Sequence, residues 1–250
     1  MLTAQRIINI KDPDPGDYFY RESIKTLRAN IQFSGRKNRV IMFTSCFQAE
    51  GKSDTIFHLS AEMAKLGKKV LLIDSDIRNS QFAQRYGITS KVNGLTEYLS
   101  GQVQDANEIL YQTNYAGLYL TMAGAYAPNP SEMLADEQFR NYVKAASSVF
   151  DYIFIDTPPL GQIIDAAQIG QICDGAVLVI MSGGVYYRAA QKVCEQLRQA
   201  DIHILGVVLN RVDRSGSSAY GKYGRYGKYG KYGKYGKYGE YGHEREEENT

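Results

Sequence analysis

Apolar runs punctuate the chain at Val40–Thr44, Val70–Ile73, Leu118–Met122, Tyr152–Ile155, Ala176–Met181 and Leu205–Leu209. Runs of this length are those of parallel strands buried on both faces, which carry apolar residues continuously instead of alternating them. Between them the spacing changes to that of helices. Tyr20, Ile24, Leu27 and Ile31 precede the first run, and Ile56, Leu59, Met63 and Leu66 follow it on one helical face. Glu22, Lys25 and Arg28 then fall on an exposed arc of the first helix, and stretches 131–147 and 186–200 have helical length with polar outer faces. The alternation predicts an α/β fold, a parallel sheet sandwiched by helices. Residues 1–17, with Pro13, Pro15 and Gly16, are expected to form an irregular arm, 18–213 a single folded domain, and 214–250 a hinge and tail.

The tail alters the picture most. From Tyr220 to Gly242 the chain repeats Tyr-Gly-X, placing tyrosines at Tyr220, Tyr223, Tyr226, Tyr229, Tyr232, Tyr235, Tyr238 and Tyr241. A segment of Gly, Tyr and Lys has too little aliphatic surface to offset the entropy of ordering its backbone, so a disordered, solvent-exposed C-terminal tail is expected. The whole net charge of +2 comes from residues 220–250, where seven Lys/Arg face five Glu. The body is neutral, which argues against a general nucleic-acid or membrane-coating surface. Interleaved Tyr and Lys/Arg also suit a single-stranded nucleic acid, the weaker reading of the tail, and no nucleic-acid partner is expected. Cys46, Cys173 and Cys194 are scattered and lack metal-ligand spacing, as do His58, His203 and His243. Free thiols suit a reducing compartment, so a cytoplasmic protein is expected. No run approaches the roughly 18 apolar residues of a membrane span, and any membrane association is expected to come through a partner.

The candidate chemistry starts after the first apolar run. Thr44-Ser45-Cys46-Phe47-Gln48-Ala49-Glu50-Gly51-Lys52-Ser53 runs from a strand into a helix, the setting in which a Gly-Lys-Ser loop cradles phosphates with backbone N–H groups. Lys52 is placed to reach the β- and γ-phosphates, and the Ser53 hydroxyl to ligate Mg²⁺. Cys46 stands where the usual first glycine of such loops belongs, so the loop taken alone is a weak signal. Two further runs end in carboxylates, Ile73-Asp74-Ser75-Asp76 and Ile155-Asp156-Thr157-Pro158-Pro159. Ligands of open α/β sheets bind at the carboxyl ends of strands, which predicts Asp74, Asp76 and Asp156 beside Lys52 in a Mg²⁺–nucleoside triphosphate site. Asn210, ending Val207-Val208-Leu209-Asn210, is a candidate for a purine edge, because an amide carries both a donor and an acceptor. The base stays open, since Asn-Arg-X-Asp is also similar to the guanine-reading element of G domains. Candidate nucleotide contacts are thus Glu50, Gly51, Lys52, Ser53, Asp54 and Asn210.

In this order the elements resemble the bacterial tyrosine kinases of capsule and exopolysaccharide assembly, P-loop ATPases with a deviant Walker A loop. The resemblance spans nearly the whole chain. It rests on Gly51-Lys52-Ser53, on Ile73-Asp74-Ser75-Asp76-Ile77-Arg78, on Ile155-Asp156-Thr157-Pro158-Pro159, on Pro128-Asn129-Pro130-Ser131-Glu132 and on the tyrosine cluster. It implies ATP and Mg²⁺ as cofactors, Lys52, Asp74, Asp76 and Asp156 as the catalytic set, and Ser53, Asp76 and Asp156 around the metal. Asp74 would orient or assist the attacking phenol. The resemblance further implies autophosphorylation of the tail tyrosines, a transmembrane activator of the polysaccharide co-polymerase type, recruitment to the inner face of the plasma membrane, a ring of copies and a tyrosine phosphatase. A Glu-x-x-Arg-x-x-Arg ring motif of the family is similar to the stretch holding Glu22, Lys25 and Arg28, with lysine replacing the first arginine and losing its bidentate fork. Gln48 and Ala49 replace the usual Pro-Gly, and Asp54 places a carboxylate where its charge competes with phosphate for the helix dipole. Two other readings remain: a nucleotide-switched scaffold that transfers little phosphate, and a partition-type ATPase with a nucleic-acid-binding tail.

Overall fold

The computed structural model describes residues 2–4, 6–14 and 16–213, and residues up to Val212 form one compact unit. The tyrosines from 220 to 241 lie outside the described residues. All six apolar runs become strands: β2 (Val40–Ser45), β3 (Val70–Asp74), β5 (Leu118–Thr121), β6 (Tyr152–Asp156), β7 (Gly175–Met181) and β8 (Ile204–Asn210). Two further strands, β1 (Arg6–Ile8) and β4 (Tyr111–Thr113), complete an eight-stranded sheet of order β1-β4-β5-β3-β6-β2-β7-β8.

The core shows why continuous apolar runs are required. On each strand alternate residues enter opposite layers: Met42, Leu71, Ile73, Ile153, Ile155 and Leu178 face one side, Ile41, Phe43, Val70, Leu72, Phe154 and Val177 the other. The first face is covered by α6 (Glu137–Ser147) and α8 (Tyr187–Gln199) through Phe139, Tyr142, Val193 and Leu197. The second is covered by α1 (Tyr18–Phe33) and α2 (Lys52–Ala64) through Ile31, Ile56, Leu59 and Met63. A strand with helices above and below has no face left for polar residues.

The parallel sheet sandwiched by helices stands with one exception, and three other expectations need correction. The arm is not irregular throughout: β1 pairs parallel with β4, and Ile8 and Ile10 are buried. Asn114 pins the arm by accepting from the Ile10 N–H at 2.8 Å and donating to its carbonyl at 3.1 Å. The sheet is not wholly parallel, because β4 and β5 are antiparallel; a short connection permits only that arrangement, whereas parallel neighbours need a long crossover. The stretch 131–147 is two helices, α5 (Pro130–Ala135) and α6, separated at Asp136, whose extended backbone and side chain cap the second by accepting from the Gln138 N–H at 2.7 Å. Leu66 is exposed, because α2 ends at Ala64 before the apolar face reaches it.

Candidate active site

The phosphate-loop candidate leaves the buried end of β2 between β6 and β7, its two neighbours in the sheet. Its closure explains how it does without a first glycine. Glu50 folds its carboxylate back under the loop, where Oε2 accepts from the N–H groups of Cys46 at 2.7 Å and Phe47 at 3.2 Å. Cys46 is buried there, and burial pushes its thiol up to about 12, the setting of a packing residue. Ala49 and Gly51 adopt positive φ, 62° and 79°. At Gly51 glycine is required twice over: φ is left-handed, and a Cβ would lie 2.1 Å from Asn210 Nδ2. Gly51 is the N-cap of α2 and supplies no side chain to its first turn. The helix therefore starts as an anion cradle, with unsatisfied amides and the positive end of its dipole.

The acids arrive from two neighbouring strands. β3 and β6 are adjacent and parallel, and Asp74 stands opposite Asp156 in their register. Lys52 Nζ donates to the Asp156 carboxylate, a pair whose side chains are 10% and 3% exposed. Burial first, then the Asp156 charge, pushes Asp74 up to about 7, against which the hydrogen bond from Ser80 works. Asp76 is also raised by burial and accepts from the Asn79 N–H at 3.0 Å.

A cavity of 330 Å³ opens over these groups and is lined by Glu50, Gly51, Lys52, Ser53, Asp54, Asp74, Asp76 and Asp156. Eight candidates scattered over a hundred residues of sequence thus share one cavity. Asn210 does not line it: its Nδ2 donates to the Glu50 carbonyl at 2.9 Å and its Oδ1 accepts from the Arg211 N–H, so the amide ties β8 to the loop. Asp54 lines the cavity but turns its carboxylate to Arg85 and to the Tyr86 hydroxyl, the latter at 3.0 Å. The competition with phosphate expected of Asp54 is thereby blunted by a guanidinium. Ser80, Arg85 and Arg211 also line the cavity, and sequence reasoning missed them. The only signal for Ser80 and Arg85 was the polar stretch after Ile77, which carries no spacing rule, while Arg211 was read only as the neighbour of Asn210.

The residues present fit a magnesium nucleotide. Among the described residues no three His, Cys, Asp or Glu side chains close into a metal cage. Magnesium needs none, since it keeps waters and takes one or two carboxylates together with substrate phosphates.

Residues 38–198 match the family model of the AAA domain. The tyrosine-protein kinase CpsD of Streptococcus agalactiae is 42% identical over 194 residues, spanning 78% of this chain and 84% of that relative. The chain belongs to the bacterial tyrosine-protein kinases. The kinase domain of Escherichia coli tyrosine kinase ETK superposes with a TM-score of 0.75 at 26% identity, covering 88% of the kinase described here and 94% of that chain. The septum site-determining protein MinD of Pyrococcus horikoshii, solved with Mg-ADP, superposes with a TM-score of 0.60 at 27% identity over 71% of this chain and 72% of its own.

The ring-motif residues lie away from the cavity, on α1. Glu22 and Lys25 pair with each other at 2.7 Å near the surface. Arg28 is not on the exposed arc: it turns onto α2 and donates to Glu62 at 3.2 Å, leaving its buried Nε without a partner. Among the described residues no helix is long and apolar enough to cross a membrane.

Proposed function

We propose that the kinase binds Mg-ATP in the 330 Å³ cavity and phosphorylates the tyrosines of its own C-terminal run, in a neighbouring copy. The observation that carries this reading is the contact of Lys52 with Asp156, itself in register with Asp74, at the mouth of an uncapped helix N-terminus. The first-turn amides of α2 and Lys52 would hold the β- and γ-phosphates. Ser53, Asp76 and Asp156 would hold the magnesium ion, which when bound neutralises charge on the phosphates. Glu50 and Asn210 brace the loop beneath them. Asp74 is the proton acceptor. Burial and the Asp156 charge raise this carboxyl from its ordinary value toward neutral pH in the nucleotide-free protein, the direction that suits a general base. The phenol oxygen attacks the γ-phosphorus, the bond to the β-phosphate oxygen breaks, ADP leaves, and the phenolic proton passes to an Asp74 carboxylate oxygen.

Tail tyrosines suit this site because the Tyr-Gly-X run holds six Lys/Arg and no acid from 220 to 239, which draws it to an acidic, phosphate-bearing cleft. Each phosphoryl group adds about −1.5 to −2 charges, so several reverse the sign of the segment. Such a reversal is the proposed switch in capsule or exopolysaccharide assembly. A transmembrane activator of the polysaccharide co-polymerase type would bring the cytoplasmic kinase to the membrane, a phosphatase would reset it, and Glu22, Lys25 and Arg28 would join copies into a ring. The test is incubation of the full chain with Mg-ATP, with and without the activator's cytoplasmic segment, and mapping of modified residues by mass spectrometry. Phosphate on Tyr220–Tyr241 that disappears in Lys52→Met is the expected result. Bound nucleotide with an unmodified tail would instead establish the scaffold reading, and salt-sensitive nucleic-acid binding by residues 220–242 the partition-type one.

A further inference from the structure

Among the described residues outside the cavity lining, one carboxyl side chain is wholly enclosed by the body of the protein. Asp165 opens a short helix, α7 (Asp165–Gly170), on the segment that leaves β6 after Asp156, and its side chain has no solvent exposure. Three contacts from two other segments close on it. Arg78 donates to both oxygens, Nε to Oδ2 at 2.6 Å and Nη2 to Oδ1 at 3.1 Å, and the Ser131 hydroxyl donates to Oδ1 at 2.6 Å. Arg78 Nη2 also donates to Ser131 Oγ at 2.8 Å, which closes a ring of hydrogen bonds. A carboxylate so far from water persists only when paired and hydrogen-bonded on both oxygens, and the fork of arginine matches that need.

The position of this ring matters for the reaction. Arg78 stands two residues beyond Asp76 in the loop that leaves β3, and the carbonyl of the intervening Ile77 accepts from the Ala127 N–H at 3.1 Å. Asp165 is reached from Asp156 through a segment held by the N–H of Leu160 on Thr44 Oγ1 at 3.1 Å and of Ile163 on the Pro159 carbonyl at 3.0 Å. The Arg78–Asp165 pair therefore bolts the Asp76 loop to the segment that follows Asp156. Pro130 and Ser131 start α5, so a third element is tied into the same joint.

We propose that Asp165, acting through Arg78 and Ser131, is a positioning residue that sets Asp76 relative to Asp156, so that a carboxylate from the loop after β3 and one from the end of β6 meet one divalent cation. The inference rests on the Mg-ATP reading above. Its test is metal binding, read apart from turnover: Mn²⁺ affinity of the full chain with bound ADP, measured from the free Mn²⁺ electron paramagnetic resonance signal, alongside ADP affinity without metal. In Asp165→Asn, Mn²⁺ affinity is expected to fall roughly 10-fold or more, as for other partners that orient metal ligands, while metal-free ADP affinity stays within about twofold. Kinase assays should then show a lower kcat at fixed Mg²⁺, partly restored by excess Mg²⁺, with little change in KM for ATP. Should Asp165→Asn fail to fold, Arg78→Lys keeps the charge, loses the fork and is expected to show the same selective loss in weaker form. Unchanged Mn²⁺ affinity in a folded variant overturns the inference, and so does an equal loss of metal-free ADP affinity, the mark of general damage. A parent protein whose ADP complex takes up no Mn²⁺ overturns the Mg-ATP reading itself.

Discussion

Two lysine–carboxylate pairs in this kinase are chemically alike and physically opposite. Lys52 and Asp156 meet at the floor of the cavity with side chains 10% and 3% exposed; Lys25 and Glu22 meet on α1 with 47% and 45% exposed. Water and salt screen the second pair, and holding two long side chains together costs entropy, so it contributes little. At the first, burial raises the energy of any uncompensated charge, and the Asp74 carboxyl beside it already resists ionisation. The same two residue types therefore form a dry pair lining the cavity in one place and a screened surface pair in the other. Arg28 with Glu62 lies between the extremes, at 22% and 15% exposure.

Removing the cavity cation should have the largest effect. Lys52→Met deletes the amine proposed to neutralise the γ-phosphoryl and leaves Asp156 buried without its partner. Phosphorylation of the tail should fall by at least about 10³-fold, the scale for losing a group that stabilises transferring charge, as read by anti-phosphotyrosine blot and mass spectrometry. Retained phosphorylation would dissolve the distinction between the two pairs.

Asp74→Asn tests the buried field without nucleotide. Because the folded-state pKa lies above the unfolded value of 3.8, the unfolded chain releases this proton first and stability declines as pH rises from about 4 to about 7. The asparagine variant lacks that decline. Its melting midpoint should match the parent below pH 4, exceed it increasingly up to pH 7 and stay higher beyond, by about 2–4 °C for each kcal/mol recovered. Calorimetry of the nucleotide-free protein across pH checks this, and a constant offset would remove Asp74 from the account. The same variant should lose tail phosphorylation.

Arg28→Ala should cost about 1 kcal/mol, near 2–4 °C in midpoint, because it breaks a half-sheltered pair between α1 and α2. Light scattering of the same variant reports whether the residue also serves assembly. Lys25→Ala is expected to melt with the parent in low and high salt alike. A salt-dependent loss there would show that the exposed pair matters more than its surroundings allow.

Much of this was legible in the amino-acid order. Six strands, the helix after the phosphate loop and the acids at strand ends follow from apolar runs and their flanking residues, because burial on two faces and chain reversal at a strand end leave local marks. β1 and β4 left none: three residues are too few to show a period, and β1 is held by a partner about a hundred positions away. Arg85, Ser80 and Asp165 were invisible for a related reason, since an isolated polar residue looks the same in sequence whether it faces solvent or closes on a partner. Arg28 had helical spacing that put it on an outward arc, and only the arrival of Glu62 on the neighbouring helix turned it inward.

By itself, then, the amino-acid order determined the layered α/β body, the Gly51-Lys52-Ser53 loop, the three strand-end aspartates and the eightfold tyrosine run. Tertiary structure alone decided which charges are dry. It placed Asp74 opposite Asp156, brought Arg85 onto Asp54 and sealed Asp165 under Arg78. Charge is a property of a residue, but its energy belongs to the dielectric around it, and that is set by segments far away along the chain.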